Sequence, residues 1–295
     1  MTEPGLPFRT NAAATPPPFT VTVIIPTRDR DEDLHRCLES IRASCRTCAV
    51  EVIVVDDGSR VPVRPRVVFP EPLRLRVMRN ETPVGSAASR NAAAAVAEGE
   101  ALAFLDDDAV IPEHWFRVVQ RELHPERGAI TGPVQGFDRC VVARARQIRY
   151  DERYHDLDTG ADINFLAGGN SVVWADAFRR AGGFPVLPTA SDNAFLRALR
   201  GLGVRCYFVR DLTIGHRNSK GLVSAVTCAF QAGLVSGALP APRRQAPRPS
   251  APRRGEPAAR ALNRFLNLCF KLGRAASGVT RRRTPASPIL QENSA

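Results

Sequence analysis

The residues best suited to chemistry are three adjacent aspartates, Asp106, Asp107 and Asp108, which directly follow an apolar run ending at Leu105. Carboxylates this close together repel one another unless a cation neutralises them. Mg²⁺ and Mn²⁺ prefer oxygen ligands and commonly bind one or two carboxylates together with substrate phosphates. The triplet therefore predicts a divalent metal site at a strand end, and a solvated acidic turn that caps the next helix is the alternative.

Strand and helix patterns alternate through the first half of the chain. Apolar runs predict strands at residues 19–26, 51–55, 75–78 and 101–105. Between them lie an amphipathic helix over about 31–43 and an alanine-rich helix over about 86–98. This alternation implies an α/β fold with a mostly parallel sheet flanked by helices. Ligands bind such sheets at the carboxyl ends of the strands, and the polar clusters of this sequence lie there.

The second half of the chain is less regular. Helices are predicted over 113–121 and 191–202, and strands over 165–174 and 204–209. The composition suggests a disordered leader over 1–18, a folded domain over 19–239 and a Pro/Arg-rich linker over 240–257. A basic amphipathic helix over 258–278 and a disordered tail over 279–295 complete the predicted organisation.

The charge of the chain favours an anionic partner. It has 41 Lys+Arg against 30 Asp+Glu, and Lys220 and Lys271 are the only lysines. Arginine makes flat, bidentate contacts with phosphate, so a nucleotide, a nucleic acid or an acidic membrane face would fit. Nucleic acid is not expected as a partner, since aromatic residues are only 6% and no recognised module is present.

Cysteine usage and the first residues predict a cytoplasmic protein. Seven cysteines cannot form a complete disulfide framework, which favours reduced thiols. The first 18 residues contain no apolar stretch of signal-peptide length. Association with the inner face of a membrane is compatible with this expectation.

Several motifs occur in an order that resembles the family 2 glycosyltransferases, which have the GT-A fold. They are Thr-Val-Ile-Ile-Pro-Thr-Arg-Asp-Arg at 22–30, Val-Ile-Val-Val-Asp-Asp-Gly-Ser at 52–59, the helix with Arg90-Asn91, and the aspartate triplet. The likeness runs from about Phe19 to Arg217. It implies transfer of a sugar from a nucleotide-diphosphate donor, with Mn²⁺ or Mg²⁺ as cofactor.

The resemblance also implies roles for individual residues around the donor. The implied nucleotide-sugar-binding residues are Pro26, Thr27, Arg28, Asp57, Arg90, Asp106 and Asp107. Asp108 is the main implied metal ligand, with Asp106 and His216 as the further candidates. Each has a plainer alternative: Asp57 could satisfy turn amides, Arg90 could pair with Glu98 along its helix, and His216 could be structural.

Other positions resemble the acceptor side of the family's site. Gly168, Gly169, Asn170 and Trp174 belong to a glycine-rich strand against which an acceptor would lie. Asp192 is the implied catalytic base of an inverting transfer, because a carboxylate there can remove a proton from the acceptor hydroxyl. The family typically has Glu before this Asp, whereas this chain has Ser191, and either residue could instead cap the helix.

The C-terminal region and the acceptor stay open. Residues 222–239 are borderline in length for a bilayer crossing and more plausible as a packed helix. The basic helix could lie in a membrane interface, dock on the domain or mediate dimerisation. The acceptor could be a saccharide, a lipid-linked molecule or a small molecule.

Two other functions compete with transfer. One is a catalytically weak or inactive scaffold that binds nucleotides, which the Ser191 departure and the basic tail allow. The other is a sugar nucleotidyltransferase, which normally has a glycine-rich loop after its first strand. Residues 26–31 contain no glycine, which argues against the second alternative.

Overall fold

The computed structural model describes residues 18–45, 49–154, 156–218, 221–238 and 257–283. The predicted leader and linker lie outside these ranges except for Pro18 and Pro257, as does the predicted tail beyond residue 283. The strands of the described residues are β1 Val21–Thr27, β2 Val50–Asp57, β3 Arg74–Asn80, β4 Ala101–Leu105, β5 Ala109–Val110, β6 Ala129–Thr131, β7 Val134–Gly136, β8 Asn170–Trp174, β9 Cys206–Phe208 and β10 Ile214–His216. The helices are α1 Asp31–Ser44, α2 Ser86–Val96, α3 Trp115–Glu122, α4 Val141–Tyr154, α5 Ala175–Arg180, α6 Ser191–Gly201, α7 Leu222–Ala238 and α8 Pro257–Arg283.

A seven-stranded sheet in the order β3-β2-β1-β4-β8-β6-β9 forms the centre of the fold. Its strands pair in parallel except β8, which runs antiparallel to both β4 and β6. Helices cover both faces, so the predicted mostly parallel sheet flanked by helices is confirmed. The carboxyl ends of β1, β2 and β4 consequently meet at one edge of the sheet.

Two apolar clusters hold this sheet between its helices. Alternate residues of β1 point to opposite faces: Val23 and Ile25 join one cluster and Ile24 the other. The predicted stripe of α1, represented by Leu34 and Ile41, is buried against the first cluster. The phenylalanines of α5 and α6 pack with Phe104 of β4 in the second. The ends of the central strands are therefore fixed from both faces.

A small second sheet, in the order β5-β10-β7, lies at the same edge. β5 begins directly after the aspartate triplet, and β10 pairs with it antiparallel, with His216 opposite Ala109. This pairing carries His216 to the acidic cluster across more than a hundred residues of sequence.

Helices α7 and α8 pack as a pair, and α8 also packs on α4. A Cβ atom at Gly233 would overlap the carbonyl of Phe270, and one at Gly273 would overlap the carbonyl of Phe230. The two glycines therefore permit close backbone contact between the helices. The basic helix docks on the domain, as one of the three sequence alternatives supposed, and it extends beyond the predicted 258–278. Among the described residues, no helix is both long and apolar enough to cross a membrane.

Candidate active site

A cleft of about 530 Å³ opens where the central strands end. Most of the residues singled out from the sequence line it: Pro26, Thr27, Arg28, Asp57, Arg90, Asp106, Asp107, Gly168, Gly169, Asp192 and His216. The Asp108 side chain is 0% exposed and lies behind this surface. Residues more than 150 positions apart thus converge because parallel strands end at one edge.

Two basic side chains contact the first aspartate of the triplet. Arg90 of α2 donates a hydrogen bond of 2.5 Å to Asp106 Oδ1, so Arg90 pairs across the cleft and not with Glu98. His216 Nε2 lies 3.4 Å from Asp106 Oδ2 and 3.0 Å from Asp108 Oδ1. Burial would lower the pKa of His216, but hydrogen bonds and charge from the two aspartates outweigh it and raise the pKa to about 9.

The other two aspartates share Arg30, which the sequence analysis did not single out. Arg30 Nη1 lies 2.6 Å from Asp107 Oδ1, and its Nη2 lies 2.6 Å from Asp108 Oδ2. Asp107 also accepts a 2.8 Å hydrogen bond from Thr27 Oγ1. Burial, reinforced by Asp108 and Asp106 and opposed by Arg30 and Thr27, raises the pKa of Asp107 to about 6. Asp107 therefore anchors β4 to β1.

The arrangement of oxygens fits a divalent metal. Asp106 Oδ2 and Asp108 Oδ1 both face His216 Nε2, while Arg90 and Arg30 bind the opposite oxygens of these carboxylates. One ligand atom from each of Asp106, Asp108 and His216 lies within 4.8 Å of the others. Two carboxylates and an imidazole suit Mn²⁺, and the carboxylates alone suit Mg²⁺.

Asp57 is held by several hydrogen bonds within the protein. It accepts hydrogen bonds of 2.9 Å from the side chain of Asn80 and from the backbone amides of Val84 and Gly85. Burial would raise the pKa of Asp57, but these hydrogen bonds lower it below the ordinary range. The carboxylate thus fixes the loop before α2, and it still lines the cleft.

The glycine pair is required by close approach of two carboxylate side chains. A Cβ atom at Gly169 would overlap the Asp106 carboxylate, and one at Gly168 would lie 3.1 Å from the Cβ of Asp192. Side chains at these positions would push Asp106 and Asp192 from the cleft. The sequence pattern predicts the pair but indicates only an acceptor role for it.

Asp192 lies near the start of α6 and lines the same cleft. Asp192 is the second residue of α6, and the residue before this helix, Ala190, makes no side-chain cap bond. Asp192 Oδ1 accepts a hydrogen bond of 2.8 Å from the backbone amide of Asn193, which fixes the carboxylate. Burial raises the pKa of Asp192, while this amide, Arg90, the Gly168 amide and Arg153 oppose the rise. Ser191 bonds instead to the carbonyl of Leu187.

Two residues assigned to the acceptor side lie elsewhere. Trp174 is at the far end of β8, where it packs on Phe19 with ring centroids 4.7 Å apart. Because β8 is antiparallel, its last residue lies at the edge opposite the cleft. Asn170 is fully buried and donates hydrogen bonds to the carbonyls of Pro133 and Leu212. Both assignments were wrong, and Tyr150 and Phe165 line the cleft instead.

Comparisons with known sequences agree with this geometry. The profile of glycosyl transferase family 2 matches residues 22–182, just over half of the chain. The pre-mycofactocin glycosyltransferase of Mycobacterium tuberculosis is 27% identical over 173 residues, which cover 56% of this chain and 35% of that protein. An uncharacterized glycosyltransferase of Haemophilus influenzae is 39% identical over 103 residues, 34% of this chain and 33% of that protein. The chain spans about a third of the length of these two relatives.

Solved structures share the fold at low identity. The mannosyltransferase PcManGT from Pyrobaculum calidifontis, in complex with GDP-Man and Mn²⁺, aligns with a TM-score of 0.55 and 19% identity, covering 90% of this chain and 76% of that chain. S. aureus TarS 1–349 in complex with UDP-GlcNAc aligns with a TM-score of 0.51 and 18% identity, covering 72% of this chain and 66% of that chain. GalNAc-T7 with UDP, GalNAc and Mn²⁺ aligns with a TM-score of 0.52 and 16% identity, covering 69% of this chain and 44% of that chain. These likenesses establish the GT-A type of fold.

Proposed function

Because this chain belongs to glycosyl transferase family 2, we propose that it transfers a sugar from a nucleotide-diphosphate donor to an acceptor hydroxyl beside Asp192. The observation that carries this assignment is the convergence of Asp106, Asp108 and His216 at a cleft that Asp192 also lines. One group can bind a metal and the other can accept a proton. Together they supply the two functions that transfer with inversion requires.

The metal site would lie on Asp106, Asp108 and His216. Bound Mn²⁺ or Mg²⁺ would offset the charge of the leaving diphosphate. The ion pairs with Arg90 and Arg30 hold both aspartates in place without the metal. The complexes of PcManGT and GalNAc-T7 with Mn²⁺ support a similar use here.

Asp192 would act as general base. It would take the proton of the acceptor hydroxyl as the oxygen attacks the anomeric carbon, and the bond to the diphosphate oxygen would break. The amide of Asn193 holds one oxygen of the carboxylate. The raised pKa brings the carboxylate nearer the range in which it accepts a proton effectively.

A screen of nucleotide-sugars tests the proposed transfer and identifies the nucleobase of the donor. UDP-, GDP-, dTDP- and CDP-sugars are compared by thermal shift with Mn²⁺ and with EDTA, followed by assay of donor hydrolysis. Sugars of one nucleobase should raise the Tm, and only when metal is present. A ligand at 100 times its Kd stabilises the folded protein by about 2.7 kcal/mol, which is a measurable shift. Stabilisation without any hydrolysis or transfer would favour the inactive scaffold, and no shift with any donor would contradict the function.

We also propose peripheral contact of α8 with an anionic membrane surface. Phe265, Leu268 and Leu272 are 48%, 51% and 55% exposed and lie on one face. Arg264 and Lys271 border this face, and α8 contains no acidic residue. An apolar stripe with a basic edge is the pattern of helices that lie in a lipid interface.

Point substitutions test this contact better than truncation does. Leu266 and Cys269 of α8 are buried against α7, so deleting the helix would expose the core. The double variant Leu268→Ser with Leu272→Ser should reduce sedimentation with phosphatidylglycerol vesicles. The control is exposed Leu202→Ser on the catalytic domain. Equal sedimentation of wild type and the double variant would exclude α8 as the contact.

A further inference from the structure

Three arginines form a row along α4. Arg146, Arg149 and Arg153 are spaced by three and four residues, which places them on one side of the helix. The pKa of Arg149 is lowered by burial, and then by the positive charges of Arg153 and Arg146. Arg149 is therefore partly buried and repelled by the positive charges on either side of it.

Within the described part of the chain, none of the three forms an ion pair with a carboxylate. Arg146 Nη1 donates 2.8 Å to the carbonyl of Asn218, and Arg153 lies 3.8 Å over the ring of Phe165. Arg149 has no hydrogen bond or ion pair to any described residue, and Glu152 influences it only as a nearby charge. Elsewhere in the site, Arg30 and Arg90 are both paired with aspartates.

The row adjoins the side of the cleft that contains Asp192. Tyr150 lies between its members on α4, and Tyr150 and Phe165 both line the cleft. The charges of Arg146, Asp106, Arg153 and Asp192 all act on the pKa of Tyr150 after burial, and Arg153 also acts on that of Asp192. Most of the residues assigned to the nucleotide lie at the ends of β1, β2 and β4, whereas this row lies on α4. An anion at this row would therefore belong to the acceptor.

We propose that the arginine row is a phosphate-binding subsite and that the acceptor carries a phosphate group. This inference rests on the proposed transfer, because only then does an acceptor enter beside Asp192. A phosphate would neutralise the three guanidinium groups, and arginine binds its oxygens in a bidentate manner. The phosphate can come from a lipid headgroup or from a soluble phosphate monoester, and either source has the same chemistry at this row.

Binding of two phosphate probes tests the subsite directly. Methyl phosphate and water-soluble dihexanoyl phosphatidic acid are titrated by calorimetry in EDTA, so that no metal attracts them to the aspartates. Arg149→Gln should weaken binding at least about tenfold, since a charge-assisted hydrogen bond contributes more than 1.4 kcal/mol. Arg153→Gln should weaken it too, and this residue is exposed, so its replacement does not endanger the fold.

The control variant replaces an arginine outside the row and so removes an equal positive charge. Arg180→Gln lies on α5, 57% exposed and away from the cleft, and should bind both probes as the wild type does. Stronger binding of the lipid probe would indicate a lipid source, and equal binding a soluble one. No saturable binding by the wild type, or unchanged binding by both Arg149→Gln and Arg153→Gln, would overturn the subsite.

Donor hydrolysis, measured on the same wild-type preparation, separates the two proposals. Phosphate binding that depends on Arg149, without metal-dependent hydrolysis of any nucleotide-sugar, would retain the anion site and reject the transferase. Hydrolysis without phosphate binding would retain the transferase and reject the subsite.

Discussion

The two walls of the cleft differ in how their charges are matched. The donor wall consists of the ends of β1, β2 and β4 together with α2, and there Arg30 and Arg90 are paired with the aspartate triplet. The acceptor wall consists of α4, the Gly168–Gly169 turn and the start of α6. There Arg146, Arg149 and Arg153 of α4 have no carboxylate partner among the described residues, and Asp192 is held by the backbone amides of Asn193 and Gly168.

We propose that this difference reflects the ligand that each wall binds. The donor wall is preorganised, because internal pairs hold its carboxylates in place before anything binds. The acceptor wall keeps uncompensated positive charge that a bound anion would neutralise. In such a site one wall would hold the nucleotide donor rigidly, and the other wall would recognise the acceptor.

The largest effect is expected on the donor wall, for Asp108→Ala. The variant removes one proposed metal ligand and one of the carboxylates paired with Arg30, which keeps its ion pairs with Asp107 and Asp33. Metal-dependent donor hydrolysis should fall more than about 10⁴-fold, since the metal contributes several kcal/mol of charge stabilisation. Calorimetry with the identified donor and Mn²⁺ should show no metal-dependent binding, and retained binding would move the metal away from this residue.

Asp192→Asn should separate the walls. Donor affinity should persist while transfer falls about 10²- to 10⁴-fold, the contribution typical of a general base. Wild-type transfer should decline as the pH falls through a pKa above that of an ordinary aspartate, because only the deprotonated carboxylate accepts the proton. Asp176→Asn on α5, which removes an exposed carboxylate, should transfer normally. Loss of donor affinity in Asp192→Asn would contradict the division of roles.

The same contrast governs what sequence reasoning could find. The donor wall was predictable because buried runs such as Ile53–Val55 end in polar residues, and parallel strands bring such ends together. His216 was found only through the resemblance, since no spacing predicts the pairing of β10 with β5. Arg30 was missed because its partners in the aspartate triplet lie 77 and 78 residues away.

The acceptor wall was harder for physical reasons. Periodicity does not reveal strand direction. Because β8 is antiparallel to β4, Trp174 lies at the edge of the sheet away from the cleft, and the sequence pattern could not show this. Helix α4 was not predicted, because its buried positions are mostly small, as at Ala143 and Ala145, and arginines interrupt its pattern. Its arginine row therefore became visible only in three dimensions.

Gly169→Ala tests how rigidly the two walls are joined. The new methyl group would overlap the Asp106 carboxylate, and misplaced site residues commonly cost about 10²-fold in rate. Donor hydrolysis should drop by about that factor. Gly201→Ala, where a Cβ atom meets nothing within 4 Å, should leave hydrolysis unchanged. Equal activities would mean that Asp106 has room to move.

The smallest effect is expected behind the acceptor wall, at Gly233→Ala. Cys228 of α7 lines the cleft, so the seating of α7 against α8 supports this wall. A methyl group at Gly233 would overlap the carbonyl of Phe270, and such overpacking costs about 1–3 kcal/mol. This cost should outweigh the helix propensity gained from alanine, about 1 kcal/mol at most.

Urea unfolding should therefore show that Gly233→Ala is less stable than the wild type, while Gly201→Ala is equally or more stable. If Gly233→Ala is stabilised as well, α7 and α8 are not in close contact. The acceptor wall would then lack this support, and its arginine row would be held by α4 alone.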